Sequence, residues 1–97
     1  MKYPQKLYIY MVRCGDAFKL GVSALPEQRL QLIRTDNHEP TETIGMYQVD
    51  NAYQLEDTFH GVLKDAGLHI GGEWFNYDAE IVDVLIEALE ANENDVG

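Results

Sequence analysis

Apolar and polar residues alternate through the first part of the chain. Two runs, Leu7 to Cys14 and Ala17 to Val22, alternate in this way and are rich in β-branched and aromatic side chains, so they predict two β-strands. Between them lies the two-residue loop Gly15-Asp16, whose leading glycine favours the positive φ of a type II′ turn. The chain is therefore predicted to begin with a tight hairpin.

The turn sets the register of this hairpin, starting with Cys14 opposite Ala17. The facing pairs are then Val12 with Lys19, Met11 with Leu20, and Tyr10 with Gly21. Because side chains alternate between the faces of a strand, the apolar face predicted to be buried consists of Leu7, Ile9, Met11, Phe18, Leu20 and Val22. The opposite face, predicted to be accessible, consists of Tyr8, Tyr10, Val12, Lys19 and Gly21. Tyr10 and Lys19 are diagonal neighbours on it, and Gly21 leaves bare backbone beside Tyr10 where a ligand can approach.

Three later segments show the spacing of amphipathic helices. The first runs from Pro26 to about Thr35, and its stripe consists of Leu25, Arg29, Leu32 and Ile33. The second runs from Ala52 to about Ala66, capped by Asp50-Asn51 and stopped by Gly67, and its buried stripe consists of Ala52, Leu55, Phe59, Val62, Leu63 and Ala66. The third begins at Asp78-Ala79, and its core stripe consists of Ile81, Val82, Leu85, Ile86 and Leu89.

Two further segments complete the predicted fold. Thr41 to Val49 is predicted to be a third strand, and Gly71 to Tyr77 a short turn followed by an extended aromatic segment. We therefore expect a small α+β domain of the order β-β-α-β-α-α, with a three-stranded antiparallel sheet flanked by helices. A single domain is expected to cover residues 1–97, with its motifs in 7–77, an acidic C-terminal helix at 78–91 and a frayed tail at 92–97.

Composition favours one folded domain. The chain has 97 residues, of which 45% are hydrophobic, and this content is typical of a globular core rather than of disorder. Its one cysteine, Cys14, has no partner for an internal disulfide. No apolar run is long enough to span a bilayer and Met1 to Pro4 do not begin a signal peptide, so the sequence predicts a cytoplasmic protein with no membrane partner.

The charge of the chain is opposite in sign to that of most nucleic-acid-binding proteins, with a net value of −10. This charge is unevenly distributed, because residues 1–76 hold all seven basic and ten acidic residues, whereas residues 77–97 hold seven acidic residues and no basic ones. Attraction for phosphate is therefore expected only from a local cluster of Lys19, Arg29 and Arg34, with Lys6, Arg13 and Lys64 as further candidates.

Three sets of polar residues are candidates for chemistry, and each also has a purely structural interpretation. Tyr10 and Lys19 are either a reactive pair or ordinary strand and surface residues. Arg29, on a largely apolar helix face, either binds an anion or packs its alkyl chain on that face while its guanidinium reaches solvent. Glu56 and His60 lie one helical turn apart and are either ligands of a metal or substrate or a surface pair. The residues alone leave these alternatives open.

Five short blocks occur in order along the chain. They are Tyr8-Ile9-Tyr10; Phe18-Lys19-Leu20-Gly21; Ser23 with Pro26-Glu27-Gln28-Arg29-Leu30; Leu55-Glu56 with His60; and Gly72-Glu73-Trp74-Phe75. Their order and spacing over residues 7–77 resemble the GIY-YIG nuclease superfamily, most closely its phage-type branch. The chain departs from the family pattern where Tyr8 replaces a glycine, Lys19 a tyrosine and Leu20 an isoleucine, and Asn76 is a weak candidate for the late asparagine.

The resemblance implies roles for five residues. Tyr10 matches the tyrosine that activates the nucleophile, and Lys19 stands where many members have a second tyrosine and some have lysine. Arg29 matches the arginine that stabilises the scissile phosphate. Glu56 matches the glutamate that holds a single divalent metal, for which Mg²⁺ or Mn²⁺ is expected, and His60 matches a branch histidine near the phosphate.

The function that this resemblance implies is a divalent-metal-dependent endonuclease that hydrolyses DNA phosphodiester bonds in the cytoplasm of a prokaryote or a phage-infected cell. DNA is then the expected partner, bound weakly and in a salt-sensitive way by the chain alone. The alternative is a non-catalytic binding module on the same scaffold, whose acidic last helix mimics DNA and inhibits a host DNA-binding protein. A third interpretation is a domain that needs a larger protein partner, from host or phage, for DNA targeting.

Overall fold

Eight elements make up the part of the chain that the computed structural model describes, residues 6–94. In order they are β1 (Tyr8–Cys14), β2 (Ala17–Ser23), α1 (Pro26–Asp36), β3 (Thr41–Gln48), α2 (Ala52–Asp65), β4 (His69–Gly71), β5 (Trp74–Asn76) and α3 (Ala79–Asn92). The predictions for Met1 to Pro4 and for the end of the tail, residues 95–97, lie outside the described residues. The small α+β class agrees with the sequence prediction.

The prediction of a three-stranded sheet is wrong. Residues 6–94 form a five-stranded antiparallel sheet in the order β3-β1-β2-β5-β4. The additional strands β4 and β5 form a hairpin of two three-residue strands, and β5 is the segment predicted only as extended and aromatic. Strands this short give too few residues for an alternation pattern, and their order depends on pairing with β2, which lies far away in the sequence.

The predicted register of the first hairpin is confirmed. Cys14 pairs with Ala17, and Tyr10 pairs with Gly21. Gly15 has a φ of +61°, and in the described residues no residue other than glycine has a positive φ. The backbone at Asp16 therefore excludes a type I′ turn, which needs a positive φ at both positions, and agrees with type II′.

The sheet separates two apolar clusters. The face predicted to be buried packs against α2 and α3, and its main cluster contains Ile9, Met11, Phe18, Leu20, Phe59, Leu63, Val82, Leu85 and Leu89. The opposite face was predicted to be accessible, and this prediction is wrong because α1 covers it. Tyr10 and Val12 are each only 1% exposed and pack against Leu30 and Ile33. Helix α1 thus lies on one face of the sheet and α2 and α3 lie on the other.

The buried side of α1 also differs from the predicted stripe. Leu25 and Leu32 are each 59% exposed, whereas Pro26, Leu30 and Ile33 are buried. Leu25 precedes the helix as its N-cap residue and does not follow helical spacing. The buried positions are therefore counted from Pro26, which turns Arg29 to the exposed side.

The other two helices follow their predicted bounds closely. In α2, Ala52, Phe59 and Leu63 are buried as predicted, but Val62 is 44% exposed. The Asn51 side chain makes no capping hydrogen bond, whereas Gly67 ends the helix with a φ of +76°. In α3 the Asp78 carboxylate accepts from the Ile81 N–H at 3.1 Å. Among the described helices, none has the length and apolar content required to cross a bilayer.

Candidate functional site

A gap in the edge of the sheet organises the candidate site. Strand β5 pairs only with Ala17–Lys19, so within the described chain residues 20–23 of β2 have no strand on that side. Side chains of α2 take the place of the missing strand: a ring nitrogen of His60, Nε2, lies 2.8 Å from the carbonyl oxygen of Leu20, and the Glu56 carboxyl lies within hydrogen-bond reach of the Val22 backbone. We call residues 20–23 and the side chains that reach them the β2 notch.

Tyr10 reaches the β2 notch from the other face of the sheet. A Cβ atom built on Gly21 would lie 2.5 Å from Tyr10 Oη and 2.8 Å from its Cζ, so the phenol fills the bare backbone that was predicted to admit a ligand. The Tyr10 hydroxyl has no hydrogen-bond partner among the described residues, and no fully enclosed polar side-chain atom there lacks one. The oxygen therefore touches solvent at the notch although the residue as a whole is buried.

Glu73 completes the β2 notch, although no role was predicted for it from the sequence. It lies between β4 and β5, and its Oε1 atom would be 3.0 Å from a Cβ at Gly21. Its carboxyl is within hydrogen-bond reach of the Glu56 carboxyl, and its carbonyl oxygen accepts from the Leu20 N–H at 3.4 Å. The available signal was a single acidic residue between a glycine turn and the aromatic strand that begins at Trp74.

Lys19 is the amine of the notch. Its Nζ atom lies 3.9 Å from Glu73 Oε1 and 5.5 Å from the centroid of the Trp74 ring, and its side chain is 17% exposed. Cross-strand pairing of Lys19 with Trp74 brings these groups together. The lysine is therefore held over the sheet and is not a freely moving surface side chain.

Arg29 presents an exposed guanidinium beside the notch. Its positive charge lowers the pKa of Tyr10, which indicates that the two side chains are close. Within residues 6–94 Arg29 makes no salt bridge, while Arg34 donates to Thr43 Oγ1 at 3.2 Å and the Arg13 guanidinium lies 3.9 Å from the centroid of the Tyr77 ring. Of these three arginines, Arg29 is the one available to an anion at the notch.

Burial first, and then the negative charges of Glu73 and Glu56, raise the pKa of Tyr10 to about 12, while the positive charge of Arg29 opposes them. The tyrosine therefore keeps its proton near neutral pH and donates or accepts a hydrogen bond as a neutral phenol.

Glu56 forms a carboxyl pair with Glu73. Burial, followed by the hydrogen bond to Glu73, the charge of Glu73 and that of Asp57, raises the pKa of Glu56 to about 7, against a lowering effect of the Val22 backbone. Near neutral pH Glu56 is therefore partly protonated. Two acidic oxygen donors that repel each other when both are ionised fit a hard cation that takes water as its other ligands.

Within the described residues no group of three or more His, Cys, Asp or Glu side chains is arranged to hold a metal ion. An ion held here would have two carboxylates from the protein, Glu56 and Glu73. Such a ligand set would suit a Mg²⁺ or Mn²⁺ ion that keeps several waters and would not suit a structural zinc centre.

His60 contacts the backbone at the open edge of β2. Since the Leu20 carbonyl can only accept, Nε2 carries the proton, and Nδ1 is the nitrogen left for another contact. The ring packs at 5.1 Å between centroids against Phe75. The structure thus brings Tyr10, Lys19, Arg29 and Glu56 to one place and uses His60 to support the open edge of β2.

A separate cavity lies at the start of α1. It has a volume of about 380 Å³, and its lining includes Tyr8, Leu25, Pro26 and Met46 but none of the five predicted site residues. This cavity is therefore distinct from the β2 notch.

Substitution of Gly21 by alanine tests the close approach of Tyr10. The added methyl group meets the phenol, which α1 holds in place, so we expect the free energy of unfolding to fall by about 1–3 kcal/mol. The matched control is Gly61→Ala in α2, where a Cβ meets nothing within 4 Å. That variant is expected to gain about 0.5–1 kcal/mol. Urea unfolding of both variants measures the difference, and equal stability of the two would contradict the packing described here.

Comparison with known proteins identifies a family match for this chain. The T5orf172 domain family matches residues 7–90, a range that begins beside β1, ends within α3 and includes every residue of the β2 notch. No curated protein and no solved structure matches the chain. Since the matched range covers most of its length, the chain belongs to the T5orf172 domain family.

Proposed function

We propose that this chain is a divalent-metal-dependent endonuclease of the GIY-YIG type, which hydrolyses DNA phosphodiester bonds at the β2 notch. The observation that carries the proposal is the meeting of a tyrosine hydroxyl, an amine, a free guanidinium and a carboxyl pair around the bare backbone of Gly21. Four of these groups, on Tyr10, Lys19, Arg29 and Glu56, come from the blocks that resemble that superfamily. Membership of the superfamily is itself part of the proposal.

Phosphodiester hydrolysis requires a deprotonated water, stabilisation of charge on the phosphate oxygens and help for the leaving oxygen. Arg29 is the group that meets the second requirement, because its guanidinium is exposed and has no carboxylate partner within the described chain. Lys19 adds a second positive charge but shares it with Glu73 at 3.9 Å. A phosphate at the notch therefore binds mainly to Arg29.

Glu56, with Glu73 beside it, would hold the Mg²⁺ or Mn²⁺ ion, which when bound supplies positive charge to the phosphate and acidifies water. Tyr10 Oη is the atom that orients the attacking water, because it is the one hydroxyl at Gly21 and is open to solvent there. The charges of Glu56 and Glu73 raise the Tyr10 pKa, so balancing them would lower this pKa and make loss of the phenol proton easier.

The fold separates the proposed DNA-binding side from the acidic side of the chain. Arg29 and Arg34 are exposed on α1, whereas the acidic residues of α3 lie on the other face of the sheet. With so few cations, we propose that DNA binding by the chain alone is weak and falls steeply with salt. Whether the cell supplies a larger protein partner, and whether the protein works in the cytoplasm, stay predictions.

A second candidate function rests on the acidic row itself. Glu80, Asp83, Glu87 and Glu90 are all exposed along α3, at a spacing that puts them on one side of the helix. Such a row supports a module that mimics DNA and captures a DNA-binding protein. Capture that disappears when these four residues are neutralised would favour this candidate, and the nuclease proposal has no need of them.

The test is incubation of the chain with supercoiled plasmid and with single-stranded DNA, with Mg²⁺, with Mn²⁺ or with a chelator. We expect nicking that requires the metal and weakens as salt rises. Absence of cleavage by folded protein under all these conditions would contradict the nuclease proposal for the isolated chain. The acidic-row candidate then becomes the better explanation.

A further inference from the structure

We infer that Glu73 is a second carboxylate ligand of the divalent cation, so that Glu56 and Glu73 together form the binding site and the Tyr10 hydroxyl is directed into it. This inference rests on the proposed function and deepens it. It assigns a metal-binding role to a residue that the resemblance quoted only within the block Gly72-Glu73-Trp74-Phe75.

The backbone fixes Glu73 at the open edge of β2. Gly72 turns the chain with a φ of +55°, and β5 then pairs with β2 as far as Lys19 opposite Trp74. The Leu20 N–H donates to the Glu73 carbonyl at 3.4 Å, which continues this register by one residue. Glu73 is therefore held opposite Leu20 by main-chain contacts, and its side chain is free to turn toward Gly21.

Three oxygen-bearing groups converge there from β1, α2 and the turn between β4 and β5. Glu73 Oε1 and Tyr10 Oη would lie 3.0 Å and 2.5 Å from a Cβ on Gly21, and the Glu56 carboxyl comes within hydrogen-bond reach of Glu73 from α2. Tyr10 is 1% exposed as a residue, and its hydroxyl, which has no protein partner in the described chain, meets solvent at Gly21. A phenol oxygen held in place by burial and two adjacent carboxyls offer the oxygen ligands that a hard cation and its waters prefer.

Within the described chain, one ion pair reaches the two carboxyls of the notch. Lys19 Nζ is 3.9 Å from Glu73, at the outer limit of an ion pair, and it also lies over the Trp74 ring. Glu56 has no ion pair among the described residues, and Arg29 approaches from the Tyr10 side. A divalent cation between the carboxyls offsets their mutual repulsion, whereas a simple Lys19–Glu73 ion pair leaves Glu56 beside a like charge.

Terbium luminescence tests this assignment without any measurement of DNA cleavage. Tb³⁺ binds oxygen ligands as Ca²⁺ and Mg²⁺ do, and energy transfer from Trp74, the one tryptophan of the chain, selects ions at the notch over ions on the acidic face of α3. We expect Glu73→Gln and Glu56→Gln each to weaken Tb³⁺ binding by about 10- to 100-fold, and Mn²⁺ to displace the ion from wild type. The matched control, Glu87→Gln on α3, is expected to bind as wild type does.

Two further comparisons decide between a ligand and a residue that only holds Lys19. Lys19→Gln is expected to bind Tb³⁺ at least as tightly as wild type, because a competing cation is lost. A loss of binding in Lys19→Gln equal to that in Glu73→Gln would overturn the inference, as would unchanged binding in Glu73→Gln. Thermal unfolding of each variant reports whether it is folded, so a loss of binding is not mistaken for a loss of structure.

The outcomes separate the inference from the proposed function. If Glu56→Gln loses Tb³⁺ and Glu73→Gln does not, the site has one carboxylate and only the inference fails. If wild type shows no ion that Mn²⁺ displaces from the notch, the metal site fails, and with it both the inference and the metal-dependent nuclease.

Discussion

Replacing Arg29 with alanine is expected to lower the rate of DNA cleavage by about 100- to 1,000-fold while the free energy of unfolding stays within about 0.5 kcal/mol of wild type. The guanidinium is exposed and has no carboxylate partner in the described chain, so its removal leaves no buried group unpaired. Its charge is nevertheless close enough to lower the pKa of Tyr10. A loss of rate without a loss of stability is therefore the signature expected of a phosphate-binding arginine.

The matched control for this substitution is Arg34→Ala. Arg34 is exposed on the same helix but donates to Thr43 Oγ1 at 3.2 Å and so points toward β3. Both variants remove one positive charge from α1, and both are expected to weaken general attraction for DNA. Only Arg29→Ala should lower the rate at saturating DNA. Equal rates for the two variants would mean that Arg29 contributes net charge and no specific contact with the phosphate.

Replacing Glu56 with glutamine is expected to abolish metal-dependent cleavage and, in a chelator at about pH 8, to raise the free energy of unfolding by about 1 kcal/mol. In the folded chain the Glu56 pKa is about 7, raised first by burial and then by Glu73, against an ordinary value of 4.5. This gain in the free energy of unfolding is smaller than the pKa difference alone implies, because Glu56 is partly exposed and solvent screens its charge. Glutamine keeps the shape of the Glu56 side chain and removes its negative charge.

The sign of the pH dependence follows from which state binds more protons. Between pH 4.5 and about 7 the folded chain holds a proton on Glu56 that the unfolded chain has lost, so this residue lowers stability as pH rises through that window. Glu56→Gln removes this fall in the free energy of unfolding. In wild type, Mn²⁺ should take the place of the Glu56 proton, so that stability rises with pH instead. Thermal unfolding in a pH series checks both. A variant that is less stable than wild type at about pH 8 would show that the Glu56–Glu73 repulsion is absent.

The hairpin was predictable because its determinants are local. The glycine-first turn at Gly15-Asp16 fixes the register, and that register alone places Tyr10 opposite Gly21 and next to Lys19 on the same face. Helix bounds were also predictable, because Pro26 favours the first turn of α1 and Gly67 ends α2 with a positive φ. The packing of α1 over Tyr10 was missed because the tyrosines and Lys19 on that face were interpreted as a polar, accessible side. The nearly continuous apolar run of β1 is in fact typical of a strand buried on both faces.

The candidate site was predictable only in part, for a similar reason. Glu56 and His60 stood out because helical spacing places them on one side of α2, and this spacing suffices to reach successive polar groups on the edge of β2. Glu73 joins them through the pairing of β5 with β2, a contact between distant parts of the chain that no local pattern encodes. The protonated state of Tyr10 depends on the same tertiary contacts, namely burial under α1 and the nearby carboxyls.

The most direct test of the central claim is plasmid nicking by wild type and by Glu56→Gln in the same buffer with Mn²⁺, at low salt, with unfolding curves recorded for both proteins. We predict that wild type converts supercoiled plasmid to the nicked form only when the metal is present, and that the equally well folded variant does not. Nicking by Glu56→Gln at the wild-type rate, or no nicking by folded wild type, would contradict the claim that the β2 notch hydrolyses DNA.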